Sequence, residues 1–223
     1  GGVISWVSAN NLLHSNTVHK ELESISTIDH WGQWIDEQNV SEELELLSSS
    51  SIIGQTRYST SGISSSYDQL QPLYSKSVCK DATMDYMIVH NGNVPSLSYH
   101  DTTLLVRMFS KCTTDNDRKT DKISSIFQDL LRIIPASYSF CLQTPNEIYV
   151  CRDRYGIRPL CIGECDSYYY CSSESCAFPS SVNTFRDICP GEVVRIHSEG
   201  MDSIYQHPNS QLSLCVFELI YFA

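Results

Sequence analysis

The stretch Gly54-Gln55-Thr56-Arg57-Tyr58-Ser59-Thr60-Ser61-Gly62 follows a short, apolar and β-prone run, Ser51-Ile52-Ile53. Glycines bracket the nonapeptide and five hydroxyl side chains fill it, a pattern that predicts a strand leading into a polar loop. The loop carries Arg57, whose planar guanidinium can bind a carboxylate through two parallel hydrogen bonds. Arg57 is therefore a candidate anchor for a small ligand that bears a carboxylate. The alternative is a surface hairpin whose arginine is merely solvated.

The nonapeptide resembles the G-H-T-R-Y-S-T-x-G stretch of the amidophosphoribosyltransferases, with Gln55 in the place of the histidine. Those enzymes carry a class II glutamine amidotransferase domain. Further segments match this family in the same order along nearly the whole chain: Gln71-Pro72-Leu73, His90-Asn91-Gly92-Asn93, residues 152–160 (R-D-R-Y-G-I-R-P-L), Ser173-Glu174-Ser175-Cys176-Ala177, Pro190-Gly191-Glu192 and residues 215–223 (C-V-F-E-L-I-Y-F-A). The segments at 152–160 and 217–223 are specific to this family among class II amidotransferases, which disfavours the hexosamine-phosphate type.

The resemblance implies an α+β fold, the αββα sandwich of the N-terminal-nucleophile hydrolases. It also implies that residues 1–223 form a single class II glutamine amidotransferase-like domain. The family's phosphoribosyltransferase domain is expected to be absent from these residues, because its diphosphate-binding loop has no counterpart in them. The hydrophobic pattern agrees, since strands at both ends around two central helices favour stacked sheets with helices outside.

Local patterns predict the individual elements. Alternation or short apolar runs predict strands at 3–9, 51–53, 86–89, 138–142, 148–151, 160–162, 168–171 and 192–196. Helical spacing predicts helices at 20–28, within 31–47, at 101–110 and at 123–134. The charged segment 111–122 is predicted to be a linker turn.

The resemblance also implies a chemistry. In the family, an N-terminal cysteine attacks the side-chain amide of glutamine, its own α-amino group acts as base, and the ammonia passes to a second active site. By this resemblance the side-chain amide of Asn91 and the backbone N–H of Gly92 form the oxyanion hole for the tetrahedral intermediate. Arg57 holds the α-carboxylate of glutamine, Asp101 receives its α-amino group, and Thr60 belongs to the same substrate-binding set.

Simpler interpretations exist for two of these positions. Asn91 and Gly92 form an N–G pair, which is common in ordinary hairpin turns. Asp101 precedes a helical pattern and could be a plain helix N-cap, where a carboxylate is favoured. The second alternative gains weight because His100 and Thr103 depart from the family's S-D-S-E pattern.

The largest departure from the family is at the nucleophile. The family begins Cys-Gly-(Ile/Val), whereas this chain begins Gly1-Gly2-Val3, so Gly1 occupies the position of the cysteine. Glycine cannot form a thioester, and losing a nucleophile can cost on the order of 10⁶ in rate. Either Gly1 is an engineered or cloning-derived replacement, or the protein is a natural pseudo-glutaminase. Trp31 in place of the arginine of H-R-G-Q, together with two shortened segments, favours the natural origin.

The resemblance therefore implies the glutaminase domain of an amidophosphoribosyltransferase-like protein of de novo purine synthesis, and Gly1 predicts that it is inactive as written. The alternative is a non-catalytic scaffold or interaction subunit that keeps the fold only. Glutamine or glutamate is the expected ligand if the pocket survives, and a homo-oligomer or a larger protein complex is possible.

Composition sets further limits. The net charge of −11 over 223 residues disfavours nucleic acid and anionic membrane surfaces as partners. No run approaches 18 apolar residues and the start lacks a signal-peptide pattern, so a cytoplasmic protein is expected.

The ten cysteines contain no C-x-x-C pair, so neither a metal site nor a cofactor is expected. Without a signal sequence, reduced thiols are favoured. Cys215 matches a cysteine that some family members use as one ligand of an iron–sulfur cluster, but a packed thiol is the preferred interpretation here.

Overall fold

The computed structural model describes residues 3–8, 51–55, 71–78, 83–94, 101–111, 119–165 and 168–221. The predicted helices at 20–28 and 31–47 lie outside the described residues, as do Gly1, Arg57 and Thr60.

The described elements follow a mixed α+β order, in which four strands precede two helices and seven strands precede a last short helix. In chain order they are β1 (Val3–Ser8), β2 (Ser51–Gln55), β3 (Leu73–Val78), β4 (Thr83–Asn93), α1 (Asp101–Lys111), α2 (Lys119–Ile133), β5 (Ser137–Gln143), β6 (Ile148–Arg152), β7 (Cys161–Cys165), β8 (Tyr168–Ser172), a 3₁₀ turn (Ser175–Ala177), β9 (Thr184–Asp187), β10 (Glu192–His197), β11 (Gly200–Gln206) and α3 (Val216–Tyr221). None of the helices in the described ranges is long and apolar enough to cross a membrane.

The strands form two antiparallel sheets. The first has the order β2-β1-β8-β7-β9 and the second the order β11-β10-β6-β5-β4-β3. In the first sheet, β1 lies between β2 and β8, with Val3 opposite Gln55 and Ser5 opposite Cys171. The chain's first described strand is therefore an inner strand of its sheet.

Two apolar clusters show how the layers stack. One joins helices α1 and α2 to the second sheet through Leu105, Phe109, Phe127, Phe140 and Tyr149. The rings of Phe127 and Phe140 are stacked with centroids 5.4 Å apart. The other cluster joins the two sheets through Ile53, Ile162 and Cys171 on one side and Val89, Cys141 and Val150 on the other. Helices therefore cover one face of the second sheet and the first sheet covers its other face.

Strand β5 shows why this sequence suits a central strand. All of its residues from Tyr138 to Gln143 are buried. Tyr138, Phe140 and Leu142 belong to the cluster beneath the helices, whereas Cys141 belongs to the cluster between the sheets. Because alternate side chains of a strand point to opposite faces, an apolar strand with two covered faces lies in the middle of the sandwich.

Most of the predicted elements are confirmed. The predicted strands at 138–142, 148–151, 168–171 and 192–196 have ends that differ by no more than one residue from those observed. The strand predicted at 86–89 is confirmed but is longer, since it runs from Thr83 to Asn93. The linker predicted at 111–122 is wrong at both of its described ends, because α1 extends to Lys111 and α2 already begins at Lys119. Strands β3, β9 and β11 were not predicted, because their polar sequences lack a clear apolar alternation.

An ion pair fixes the start of β10. Both carboxylate oxygens of Glu192 accept hydrogen bonds from the guanidinium of Arg186, at 2.8 and 2.9 Å, and one also accepts the backbone N–H of Cys189 at 2.7 Å. The Glu192 side chain is 6% exposed. Burial acts to raise the pKa of Glu192, but the hydrogen bonds from Arg186 and Cys189 outweigh it and leave the pKa below its usual value.

We expect Glu192→Gln to lower the free energy of unfolding by about 1–2 kcal/mol at pH 7, because the charged hydrogen bonds are lost. Since the folded-state pKa is lowered, this contribution is present above the unfolded pKa of about 4.3 and disappears as the pH falls through the folded value. Urea unfolding between pH 3 and pH 7, with exposed Glu199→Gln as control, measures it. A deficit in Glu192→Gln that stays constant down to pH 3 contradicts the prediction.

Candidate functional site

Asn91 and Gly92 lie inside strand β4, opposite Ser139 and Tyr138 of β5, so the hairpin-turn interpretation is wrong. Gly92 has φ +145°, and a Cβ built on it would lie 2.3 Å from the carbonyl oxygen of Ser137. Only glycine fits this backbone without strain. The pair therefore occupies an irregular stretch at the end of an ordered strand.

The Asn91 side chain points across to the first sheet. Its Nδ2 donates to the hydroxyl oxygen of Ser173 at 3.4 Å. Ser173 directly follows strand β8 and is buried. The predicted oxyanion-hole amide thus lies between the two sheets, where β8 pairs with the N-terminal strand β1.

Strand β1 and the end of strand β2 lie close to the Asn91 strand. Val3 pairs with Gln55 in the antiparallel register of β1 and β2. The Gln55 side chain crosses to the second sheet, where its Nε2 donates to the carbonyl oxygen of His90 at 2.7 Å. Strand β1 begins two residues after Gly1, and strand β2 ends two residues before Arg57. The start of β1 and the end of β2 therefore lie close to the part of β4 that carries Asn91.

Asp101 is the first residue of α1. Its Oδ1 accepts the backbone N–H of Thr102 at 2.8 Å, and its Oδ2 lies 3.8 Å from Nδ1 of buried His90. The carboxylate lies in the first turn of α1, where a negative charge is favoured, while its side chain stays 21% exposed. Through His90 it also lies close to the Asn91 strand.

Several polar side chains that support this region were not expected from the sequence. The backbone N–H of His90 donates to Gln71 Oε1 at 2.6 Å, and Gln71 Nε2 donates to Thr102 Oγ1 at 3.0 Å. Gln71 and Ser173 lie in segments that match the family, so the match itself marked them, but it assigned them no role. Thr102 is fully buried.

Comparison with known proteins agrees with the family resemblance seen in the sequence. An amidophosphoribosyltransferase from Synechococcus elongatus is 32% identical over 198 residues, which cover 82% of this chain and 39% of that protein. The structure of a glutamine phosphoribosylpyrophosphate amidotransferase from B. subtilis, complexed with ADP and GMP, superimposes with a TM-score of 0.67 and 26% identity over all of this chain and 46% of that one. A second structure, described as the allosteric regulatory enzyme of purine biosynthesis, gives a TM-score of 0.68 and 27% identity over the same shares.

The chain is homologous to the glutamine amidotransferase domain of amidophosphoribosyltransferase. Its fold is the αββα sandwich of the N-terminal-nucleophile hydrolases, as predicted. No protein-family model matches the chain. The chain spans between 39% and 41% of the length of the first curated relatives it matches.

The segment 152–160, one of the two most specific to the amidophosphoribosyltransferases, has a structural role here. Three nitrogens of the Arg152 guanidinium donate to backbone carbonyls, those of Arg158 at 2.8 Å, Ile188 at 2.7 Å and Gly156 at 2.8 Å. The neighbouring carboxylate of Asp153 accepts hydrogen bonds from backbone N–H groups, including that of Tyr155 at 2.8 Å. These two side chains therefore build the loop.

The second family-specific segment is tied to the first. Arg158 forms an ion pair with Glu218 of α3. The backbone N–H of Ser213 donates to the carbonyl oxygen of Tyr155 at 2.7 Å, which holds the approach to α3 against the same loop. The two segments that resemble the family are therefore held together in this fold.

Four of the described cysteines are buried in the sandwich and are poor nucleophiles. Burial raises the pKa of the thiols of Cys141, Cys151 and Cys171 well above the usual value. Burial is also the main cause that raises the pKa of Cys161 to about 12. A thiol with a raised pKa carries little thiolate near neutral pH, and the thiolate is the nucleophile. Among the described residues, no group of three or more acidic, histidine or cysteine side chains is arranged to hold a metal ion.

Proposed function

We propose that this chain is the glutaminase domain of an amidophosphoribosyltransferase-like protein of de novo purine synthesis, and that it is inactive as written. Residues 1–223 form one domain of this kind, working in the cytoplasm. Gly1 stands where the family has its cysteine, so no thioester can form at that position. The remaining site binds glutamine or glutamate through Arg57, Thr60 and Asp101.

One observation carries this proposal. Val3 pairs with Gln55, and Gln55 binds the backbone of His90, the residue before Asn91. Three segments far apart in the sequence, the N-terminal strand, the approach to Arg57 and the Asn91-Gly92 pair, therefore meet at one end of the sandwich. An N-terminal nucleophile, a carboxylate anchor and an oxyanion hole must meet in this way to hydrolyse glutamine.

The second candidate is a scaffold or interaction subunit in which the fold persists and the pocket binds nothing. The departures at Gly1, Trp31 and Thr103 favour it. Under this alternative the chain contributes to a larger protein complex or to a homo-oligomer, without any turnover. Placing cysteine at residue 1 and measuring ammonia release from glutamine tests whether the rest of the catalytic site is intact.

Ligand binding tests whether the amino-acid pocket is preserved. We expect the chain to bind L-glutamine or L-glutamate, and Arg57→Ala to weaken that binding by about 1.5–3 kcal/mol, because a charged bidentate contact to the α-carboxylate is lost. Titration calorimetry with both amino acids measures it. Arg132→Ala, at an exposed position on α2, is the matched control and should bind like the parent. Absence of binding at millimolar ligand would mean that the pocket is lost and would favour the scaffold.

A further inference from the structure

We propose that Gln55 and Gln71 are positioning residues that hold Asn91 and Gly92 in place by binding the backbone of His90. This inference rests on the proposed function, because the value of a fixed Asn91-Gly92 pair lies in its use as an oxyanion hole. Its structural part concerns only described residues and can be tested without catalysis.

Strand β4 needs these side chains because its end extends beyond the neighbouring strand β3. Strand β4 is longer than its neighbour β3, and their register starts at Leu73 opposite Ile88. On its other side, β4 continues to pair with β5, with His90 opposite Phe140. His90 is buried, and a buried backbone N–H or C=O needs a partner. At His90 the edge that β3 no longer covers must therefore be satisfied by something other than a strand.

Two side-chain amides do this. Gln55 Nε2 donates to the carbonyl oxygen of His90 at 2.7 Å, while the N–H of His90 donates to Gln71 Oε1 at 2.6 Å and, more weakly, to Gln55 Oε1 at 3.4 Å. A primary amide presents a donor and an acceptor side by side. Gln55 therefore binds both backbone groups of one residue, as a neighbouring strand would.

The identity of residue 55 matters for this contact. The related family has a histidine at this position, as its G-H-T-R-Y-S-T-x-G stretch shows. An imidazole carries its two nitrogens on diverging sides of a rigid ring, and only one of them bears a proton when the ring is neutral. A histidine side chain can therefore reach one of the two backbone groups of His90 but not both at once. The two-point contact is a property of glutamine at residue 55.

The contact extends to the predicted α-amino site. Gln71 Nε2 donates to the Thr102 hydroxyl at 3.0 Å, and the Thr102 N–H donates to the Asp101 carboxylate at 2.8 Å. One chain of hydrogen bonds therefore joins the His90 backbone to the carboxylate expected to receive the α-amino group. Loss of either glutamine should loosen the end of β4, because the His90 backbone then loses a hydrogen bond to a side-chain amide.

Displacement of Asn91 and Gly92 should slow the chemical step. Oxyanion-hole donors must lie at hydrogen-bonding distance from the oxygen as it becomes negative, and a displacement of about 1 Å can cost on the order of 10²-fold in rate. Ground-state binding of glutamine depends on other groups. Loosening Asn91 and Gly92 should therefore lower kcat and leave KM nearly unchanged.

Hydrogen–deuterium exchange on the chain as written tests the structural part. Gln55→Leu and Gln71→Leu remove the amide groups, and Gln128→Leu, at an exposed site on α2, is the matched control. We expect backbone exchange across residues 90–92 to rise at least tenfold in the first two variants and to stay unchanged in the control. Exchange within β6 should stay at the parental value in all three. Unchanged exchange at residues 90–92 in both glutamine variants overturns the proposal.

The same changes in the Gly1→Cys background test the catalytic part. We expect Gln55→Leu to lower kcat for ammonia release by about 10- to 100-fold with KM within about twofold, and Gln55→His to recover part of the loss. An effect confined to KM, or to thermal stability alone, overturns the positioning role. If Gly1→Cys releases no ammonia, the proposal that this chain is a glutaminase domain lacking only its nucleophile is wrong. Hydrogen–deuterium exchange at residues 90–92 still decides whether the two glutamines hold the end of β4.

Discussion

Replacing Gly1 by cysteine should turn the chain into a glutaminase, with ammonia release at least about 10³-fold above that of the chain as written. A thiol nucleophile and the free α-amino group would then lie on one residue, and an α-amino group has a pKa of about 7.7 to 8, suited to act as base near neutral pH. Loss of a nucleophile costs on the order of 10⁶ in related situations. The gain in the rate of ammonia release can therefore be large even in a site where other residues differ from the family.

Two further variants make this result specific. Gly1→Ala keeps the terminal amine without the thiol and should stay silent. Adding Asn91→Ala to Gly1→Cys should reduce kcat by about 10²- to 10³-fold, the effect of removing one oxyanion donor. A coupled assay for ammonia measures all of them, on protein whose residue 1 carries a free amino group. Silence in Gly1→Cys with an intact fold would favour the scaffold alternative.

The fold could be predicted where the sequence alternates clearly or matches the family. Strands β5 and β6 have apolar residues on both faces, so their extent is evident to within one residue. Strand β9 could not be found in this way, because all four of its residues are exposed at a sheet edge. Its pairing with β7 depends on backbone hydrogen bonds, which leave little trace in the sequence.

The candidate site was predictable as a set of residues but not as an arrangement. The match to the family named Asn91, Gly92 and Asp101, and the N–G pair alone would have suggested a turn. What decides against the turn is the pairing of Asn91 and Gly92 with Ser139 and Tyr138 of β5, a contact between strands that no local pattern encodes. Gln55 first stood out as a departure from the family, and its contact with His90 became evident only from the way the two sheets stack.

Asp153→Asn should cost about 3–5 kcal/mol of the free energy of unfolding. The carboxylate is fully buried and accepts four backbone N–H groups: Tyr155 at 2.8 Å, Ile157 at 3.1 Å, and Tyr138 and Arg158 at 3.2 Å each. Asparagine has nearly the same shape, but its NH₂ group is a donor and would face N–H groups that also donate. Charged hydrogen bonds would be lost and buried N–H groups left unpaired. Such a loss is a large part of the 5–15 kcal/mol typical of a domain.

Urea unfolding monitored by circular dichroism measures this effect, with Asp129→Asn as the matched control. Asp129 pairs with Arg132 at 2.8 Å, but both side chains are more than half exposed, so its loss should cost no more than about 1 kcal/mol. If Asp153→Asn unfolds at the same urea concentration as the control, the Asp153 contacts do not hold the loop. The three backbone contacts of Arg152 would then be sufficient, and Arg152→Met should show the large loss instead. The loop carries the ion pair to Glu218, so whichever side chain holds it also fixes α3 against the sandwich.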